Sequence, residues 1–194
     1  MKKITIAVSA TIAALAIILG STYNGLVNKQ ESVSESFGQV QSVYQRRLDL
    51  IPNLVATVKG YAQHEKSTLI AVTKARSMAS QYMGKTSMNN ASNFKQFSAS
   101  QSALSGALGR LMVVVERYPD LKANQNFLAL QNQLEGTENR IAVARQRFNS
   151  SVKIYNTAIR QFPGNLVAKL SGGFEEKPYF QASKEAASAP KVQF

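Results

Sequence analysis

The chain has 194 residues, 44% hydrophobic and 18% charged, so one folded domain with a sizeable core is expected. It contains no cysteine and one histidine, which excludes disulfides, thiolate metal sites and a cysteine nucleophile and disfavours His-rich metal centres. There are 23 Lys and Arg against 11 acids, a formal net charge of +12. No enzyme motif is evident, and the expectation is a non-enzymatic protein without cofactor or metal.

The first 23 residues predict a transmembrane signal-anchor. Residues 4–19 carry no charge, and together with residues 20–23 they form about 20 uncharged positions, roughly the thickness of a bilayer core as a helix. A cleaved signal peptide is the alternative, because Ala14-Leu15-Ala16 resembles a cleavage site. Cleavage there would leave apolar residues at the new terminus. A buried soluble helix is the third possibility.

The charges that flank this segment predict its orientation. Lys2 and Lys3 precede it, whereas Lys29 follows it and is offset by Glu31 and Glu35. The positive-inside rule therefore places the N-terminus in the cytoplasm and the remainder outside it. The expected location is the bacterial cytoplasmic (inner) membrane with a single pass, the rest of the chain being periplasmic in a bacterium with an outer membrane.

Apolar residues with helical spacing dominate from residue 24 to about 162. The first segment has its stripe at Leu26, Val33, Phe37, Val40, Tyr44, Leu48 and Ile51. Pro52 is expected to end or kink that helix. A second segment should run from Leu54 to Met83, followed by a small, polar loop at 84–92.

Two further helices are expected. One spans about Phe94 to Arg117, and the longest has its stripe from Phe127 to Ile159, with Asp120 as the expected N-cap between them. The predicted fold is all-α: a single N-terminal transmembrane helix followed by a long up-down-up-down antiparallel helical bundle over residues 24–165. Residues 166–194 form a C-terminal extension, with 181–194 predicted as a disordered tail.

Three sequence stretches are distinctive: Arg-Arg-Leu-Asp-Leu-Ile-Pro-Asn-Leu-Val at 46–55, Glu-Arg-Tyr-Pro-Asp-Leu-Lys-Ala at 116–123 and Leu-Glu-Gly-Thr-Glu-Asn-Arg-Ile at 134–141. Together they resemble the signature of the LemA family. The resemblance covers about residues 1–180 and departs at 171–173, where the family usually has a Phe-Gly-Phe-like run. It implies a single-span bacterial membrane protein with an extracytoplasmic bundle and no established activity. Family members are often encoded near membrane proteases, which suggests an envelope protease or another membrane protein as partner.

Polar residues follow one edge of the fourth helix's apolar stripe: Gln131, Glu138, Arg145, Asn149 and Asn156. With Arg47 and Glu65, these residues suggest a polar ladder inside the bundle, in which Glu65 and Glu138 pair with Arg47 and Arg145. Buried charge is costly unless paired, so a ladder of this kind would fix helix register and partner. A proton or ligand site is the functional alternative.

The sequence lacks the requirements of a zinc protease, a di-iron bundle and a nucleic-acid-binding domain. His64-Glu65 begins like a zinc-protease HExxH motif, but no second histidine exists, and no Glu-x-x-His pair supports a di-iron bundle. A nucleic-acid interface would suit the basic charge, but recognition motifs are missing and the anchor places the bundle outside the cytoplasm. Anionic lipid or an acidic partner fits better, and a simple solvated face stays open.

The expected function is therefore that of a membrane-anchored scaffold or interaction module of the cell envelope. The lipid bilayer is one expected partner. A homo-oligomer is also expected, because Val143 and Ile154 lie off the core stripe of the fourth helix and could contact a second copy of the chain. The alternative is a membrane-shaping or lipid-binding oligomer that uses basic helix faces on anionic lipid.

Overall fold

A computed structural model describes residues 2–62 and 64–181, and these residues contain helices and no strands. The elements are α1 (Lys2–Tyr61), α2 (Lys66–Lys85), α3 (Ala91–Val115), α4 (Pro119–Lys122), α5 (Gln125–Arg160) and α6 (Gly164–Ser171). The predicted all-α class is confirmed. The tail predicted for residues 181–194 lies, after Gln181, outside the described residues.

Helix α1 joins the apolar N-terminal segment to the bundle without a break. Its 60 residues correspond to about 90 Å of helix, and one stretch within it is long and apolar enough to cross a membrane. None of the side chains of this stretch is buried, Leu19 is half-buried against the core, and the first buried residue of α1 is Leu26. The apolar segment is therefore in direct helical continuity with the bundle.

The expected end of the first helix at Pro52 is wrong, because α1 passes through this residue and ends at Tyr61. Proline has no N–H to donate to the carbonyl four residues earlier, which is that of Leu48. In the structure, the Nε of Arg76 on α2 donates to the Leu48 carbonyl oxygen at 2.8 Å. A neighbouring helix thus supplies the hydrogen bond that proline cannot make, and the chain reverses instead between the end of α1 at Tyr61 and the start of α2 at Lys66.

The four long helices α1, α2, α3 and α5 run up, down, up and down. At the end of the bundle farthest from the apolar segment, Asn124 donates to the Tyr61 hydroxyl at 2.9 Å, which links the end of α1 to the start of α5. Asn124 also caps α5 by accepting from the backbone N–H of Phe127. Asp120 is not the cap, because it lies within the short helix α4.

Two apolar clusters make up the core. The distal cluster lies among α1, α2, α3 and α5 and includes Leu54, Leu104 and Phe127. The proximal cluster lies nearer the apolar segment and includes Phe37 and Phe148. The α2–α3 hairpin packs against only the part of the proximal cluster that lies nearest the distal cluster. Helix α6 and residues 173–181 pack against the rest, and residues 173–181 are named here the C-terminal strap.

A close approach fixes the entry into α6. A Cβ on Gly164 would lie 2.1 Å from the carbonyl oxygen of Ala158, so only glycine fits where the chain folds back from α5. At the other end, Gly172 adopts φ 64° and terminates α6 in the left-handed conformation. The two glycines hold α6 against the bundle and aim the chain into the strap.

Candidate interaction site: the seam between α3 and α5

Arg47 is the most deeply buried charge in the described residues. Its side chain is 1% exposed and lies at the boundary between the two core clusters. It donates to Glu138 Oε1 at 2.8 Å, to Ser105 Oγ at 2.8 Å, and to both the backbone and side-chain oxygens of Gln101. Helices α1, α3 and α5 are therefore joined through one guanidinium group.

The Arg47–Glu138 pair is asymmetric. The Glu138 side chain is 45% exposed, so the carboxylate stays hydrated while the cation is enclosed. Arg47 also lies over the Tyr44 ring, 5.0 Å from its centroid. Burial raises the pKa of Tyr44, and the nearby Arg145 and Arg47 guanidinium groups only partly offset that rise. The phenol is thus held neutral beside the two cations.

Two asparagines of α5 bind the strap through its backbone. Asn156 donates to the Lys177 carbonyl and accepts from the Lys177 N–H, each at 2.9 Å. Asn149 makes the same pair of bonds with Phe180, again at 2.9 Å. An amide side chain that both donates and accepts replaces the pairing that a neighbouring strand would give. The strap therefore runs as an extended segment antiparallel to α5.

Phe180 inserts from the strap into the aromatic part of the proximal cluster. Its ring centroid lies 4.8 Å from that of Phe94 on α3 and 5.3 Å from that of Phe148 on α5. The Arg145 guanidinium lies 5.0 Å from the Phe180 centroid and donates to the Gln181 carbonyl at 2.8 Å. The strap thus occupies the seam between α3 and α5 as far as Gln181.

Lys177 ties the strap to the α2–α3 loop. Its Nζ donates to Asn89 Oδ1 at 2.6 Å and lies 5.7 Å from the Tyr155 ring centroid. Burial lowers the pKa of Lys177, and the Glu175 carboxylate partly opposes that effect. The strap is consequently fixed on both sides, by α5 and by the loop before α3.

The polar ladder residues thus have different roles. Arg47 pairs with Glu138, whereas Arg145 and Asn149 contact the strap. The expected pairing of Glu65 is wrong: it precedes α2 at the distal end and binds Arg117 at 2.9 Å, outside the ladder. The sequence pattern predicted one continuous helix through Glu65, whereas α1 ends at Tyr61 and α2 begins at Lys66.

Beyond Gln181, no described residue of the strap lies in the same seam. Helices α3 and α5 do not pack closely there, and a groove of about 480 Å³ lies between them. Its lining is Ser105, Leu108, Gly109 and Met112 from α3 and Gln131, Leu134, Glu135, Glu138 and Asn139 from α5. Two acids and no base line it, in a chain whose net charge is +12.

Gln101 and Ser105 are site residues that the sequence prediction missed. They lie four residues apart on α3, so they share a face of that helix, and both contact Arg47. The sequence did contain a signal for Gln101, because it lies at helical spacing on the apolar stripe formed by Phe97, Leu104 and Leu108. A glutamine at a core position of this kind indicates a buried polar partner.

No group of three or more His, Asp or Glu side chains that could hold a metal occurs within residues 2–62 and 64–181.

A second groove, of about 910 Å³, lies at the distal end between α1 and α2 and is lined by Lys59, Lys66 and Lys74 around the exposed Ile70.

Comparison with known proteins places the chain in a sequence family. The model of the LemA family matches residues 36–194. Magnetosome protein MamQ 2 of Paramagnetospirillum magneticum is 27% identical over 96% of this chain and 74% of its own length. Magnetosome protein MamQ of Magnetospirillum gryphiswaldense is 28% identical over 88% and 68%, and Protein LemA of Metamycoplasma hominis is 26% identical over 75% and 63%. These matches and the apolar N-terminal helix fit a membrane-associated helical protein. The chain belongs to the LemA family.

Proposed function

We propose that this protein is a membrane-anchored scaffold, without enzymatic activity, on the outer side of the bacterial cytoplasmic membrane. In this proposal α1 crosses the bilayer once, with Lys2 and Lys3 in the cytoplasm, and holds the bundle outside it. The bilayer and other envelope proteins, such as a membrane protease, are its partners, and the bundle is kept away from nucleic acid.

One observation carries the anchoring. The proximal end of the bundle exposes Phe162, Leu166 and Leu170, which recur every four residues, and Phe162 and Leu170 are 80% and 73% exposed. Phe162 borders a groove shared with Ser21, Thr22 and Gly25 of α1, where the apolar segment ends. Large apolar side chains at that level are suited to the boundary between headgroups and acyl chains. The bundle would then rest directly on the bilayer.

Side-by-side assembly of bundles is the second part of the proposal. Val143 and Ile154 are exposed on α5, eleven residues or three helical turns apart, so they present one apolar stripe away from the core. Because each bundle is tethered, diffusion is confined to the membrane plane, which raises the frequency of such encounters. A weak apolar contact is therefore sufficient for assembly.

Self-association is tested with the full chain in lipid nanodiscs or mild detergent. We expect native mass spectrometry to show oligomers of the wild type and mainly monomers of the Val143→Glu/Ile154→Glu variant. Gln146→Glu, at another exposed position of α5, is the control and should assemble normally. A monomeric wild type at membrane-like density would refute self-association.

The distal lysine groove favours a second candidate function, the bridging of two anionic surfaces. Its residue Lys59 lies 36 residues beyond Tyr23 on α1, about 54 Å away along the helix. An anionic lipid surface at that end would belong to another membrane, which would make the protein a membrane-shaping oligomer. Flotation of full-length protein in nanodiscs with separate anionic liposomes, at low and high salt, tests this reading. Binding that ignores lipid charge and salt would exclude it.

A further inference from the structure

The C-terminal strap shows how the seam between α3 and α5 holds a polypeptide. It lies extended between the two helices, α5 amides satisfy its backbone, and one aromatic side chain fills the apolar floor. Successive strap contacts fall on Asn156, Asn149 and Arg145, which follow one edge of α5. This part of the seam therefore binds an extended polypeptide segment.

The open groove is the continuation of this part of the seam. Glu138 and Gln131 extend the same edge of α5 at seven-residue spacing beyond Arg145, and the groove begins at Glu138 and Asn139, about two helical turns beyond the residue that contacts Gln181. Leu108, Met112 and Leu134 provide an apolar floor in place of the proximal aromatic rings. The helices, the edge and the spacing are shared, but the described strap does not fill this section.

The charge of the groove restricts what it can bind. Glu135 and Glu138 both line it, and Glu138 is half exposed although it pairs with Arg47. Gln131 donates to Glu135 at 3.0 Å, so that carboxylate is held toward the same edge. A cationic side chain would gain attraction from both acids, whereas an anionic one would be repelled.

We propose that the α3–α5 groove binds an extended segment of a partner protein that carries a Lys or Arg two residues away from an apolar side chain. The partner's backbone lies along Gln131 and Asn139, its cation reaches Glu135 and Glu138, and its apolar side chain enters between Leu108, Met112 and Leu134. This inference rests on the proposed scaffold function and gives that scaffold a defined attachment site.

Binding is tested with fluorescein-labelled synthetic heptapeptides and the full chain in nanodiscs. The probe peptides carry Lys and Leu two residues apart among small residues, because side chains at that spacing share one face of an extended chain. We expect saturable binding, and at least about tenfold weaker binding when Glu replaces Lys in the peptide or in a Glu135→Lys variant. No saturable binding of any lysine peptide would overturn the proposal.

Two glycines provide a matched pair of variants. Gly109 lines the groove and Gly136 does not, and a Cβ at either meets no atom within 4 Å. Gly109→Leu should fill the groove and abolish binding, while Gly136→Leu should bind as wild type; equal binding by both would refute the site. A chain ending at Gln181 that binds peptide when the full chain does not would instead assign the groove to residues 182–194. If the wild-type chain forms oligomers but binds no peptide, the groove proposal is refuted while the proposed scaffold function stands.

Discussion

The side chain of Asn156 forms two hydrogen bonds with the backbone of Lys177, one donated and one accepted, each 2.9 Å long. Both residues are buried, so this pairing satisfies two backbone groups that would otherwise be costly to enclose. It shows that the polar edge of α5 serves mainly to hold an extended chain. The edge had suggested an internal ladder between helices, and only Arg47 with Glu138 has that form.

Phe180 should be the main anchor of the strap. Phe180→Ala removes a buried ring from the proximal aromatic cluster and is expected to cost about 3–5 kcal/mol of unfolding free energy. The neighbouring Tyr179 is 39% exposed, so Tyr179→Ala is the control and should cost less than about 1 kcal/mol. Urea unfolding followed by circular dichroism measures both. Equal losses would show that the strap does not complete the core.

The bond between Arg76 and the Leu48 carbonyl should matter only because of Pro52. Arg76→Met is expected to cost about 1–2 kcal/mol in the wild type. In a Pro52→Ala background the new backbone N–H can donate to Leu48, so the same substitution should cost much less. A double-mutant cycle of unfolding free energies gives the coupling. Additive effects would mean that Arg76 does not compensate for the proline.

Removal of the carboxylate should be worse than removal of the guanidinium. Glu138→Ala leaves the Arg47 cation enclosed with neutral partners only, and we expect a loss on the order of 3 kcal/mol. Arg47→Met leaves Glu138 facing solvent and removes the donor of the buried but neutral Gln101 oxygens, so it should cost less than Glu138→Ala. Chemical denaturation of the two variants ranks them. A greater loss for Arg47→Met would contradict the asymmetry read from their exposure.

Alkaline pH should weaken the fold through Tyr44. Burial raises the pKa of Tyr44 above its ordinary 10.0, so above that pH the unfolded chain loses the phenol proton before the folded chain does. The folded state then binds more protons, and the unfolding free energy falls as pH rises from about 10 through the raised pKa. Unfolding at pH 8 to 11 should show a shallower decline for Tyr44→Phe than for the wild type. Identical slopes would place Tyr44 in solvent.

Helical periodicity was sufficient to predict the fold class and the loop between α2 and α3. It did not predict that α1 continues through Pro52, because the compensating donor, Arg76, comes from another helix and has no local signature. It also misplaced Glu65, because the apolar pattern predicts one helix through this residue, whereas Glu65 precedes the first turn of α2. The spacing of Asn149 and Asn156 was visible, but their partners come from a segment with no periodic pattern of its own. The roles of these residues depend on tertiary contacts, which local sequence patterns do not predict.

Topology is the most direct test of the proposed anchoring, and the absence of cysteine makes it simple. Ser150→Cys places one thiol on an exposed position of α5, and a cysteine added before Met1 reports the other end. In intact cells, or after outer-membrane permeabilisation where one exists, a membrane-impermeant maleimide should label Ser150→Cys, while the N-terminal cysteine should react only after lysis. Both proteins should stay in the membrane fraction after carbonate washing. Protection of Ser150→Cys until lysis, or its release as a shortened soluble chain, would contradict the anchored extracytoplasmic bundle.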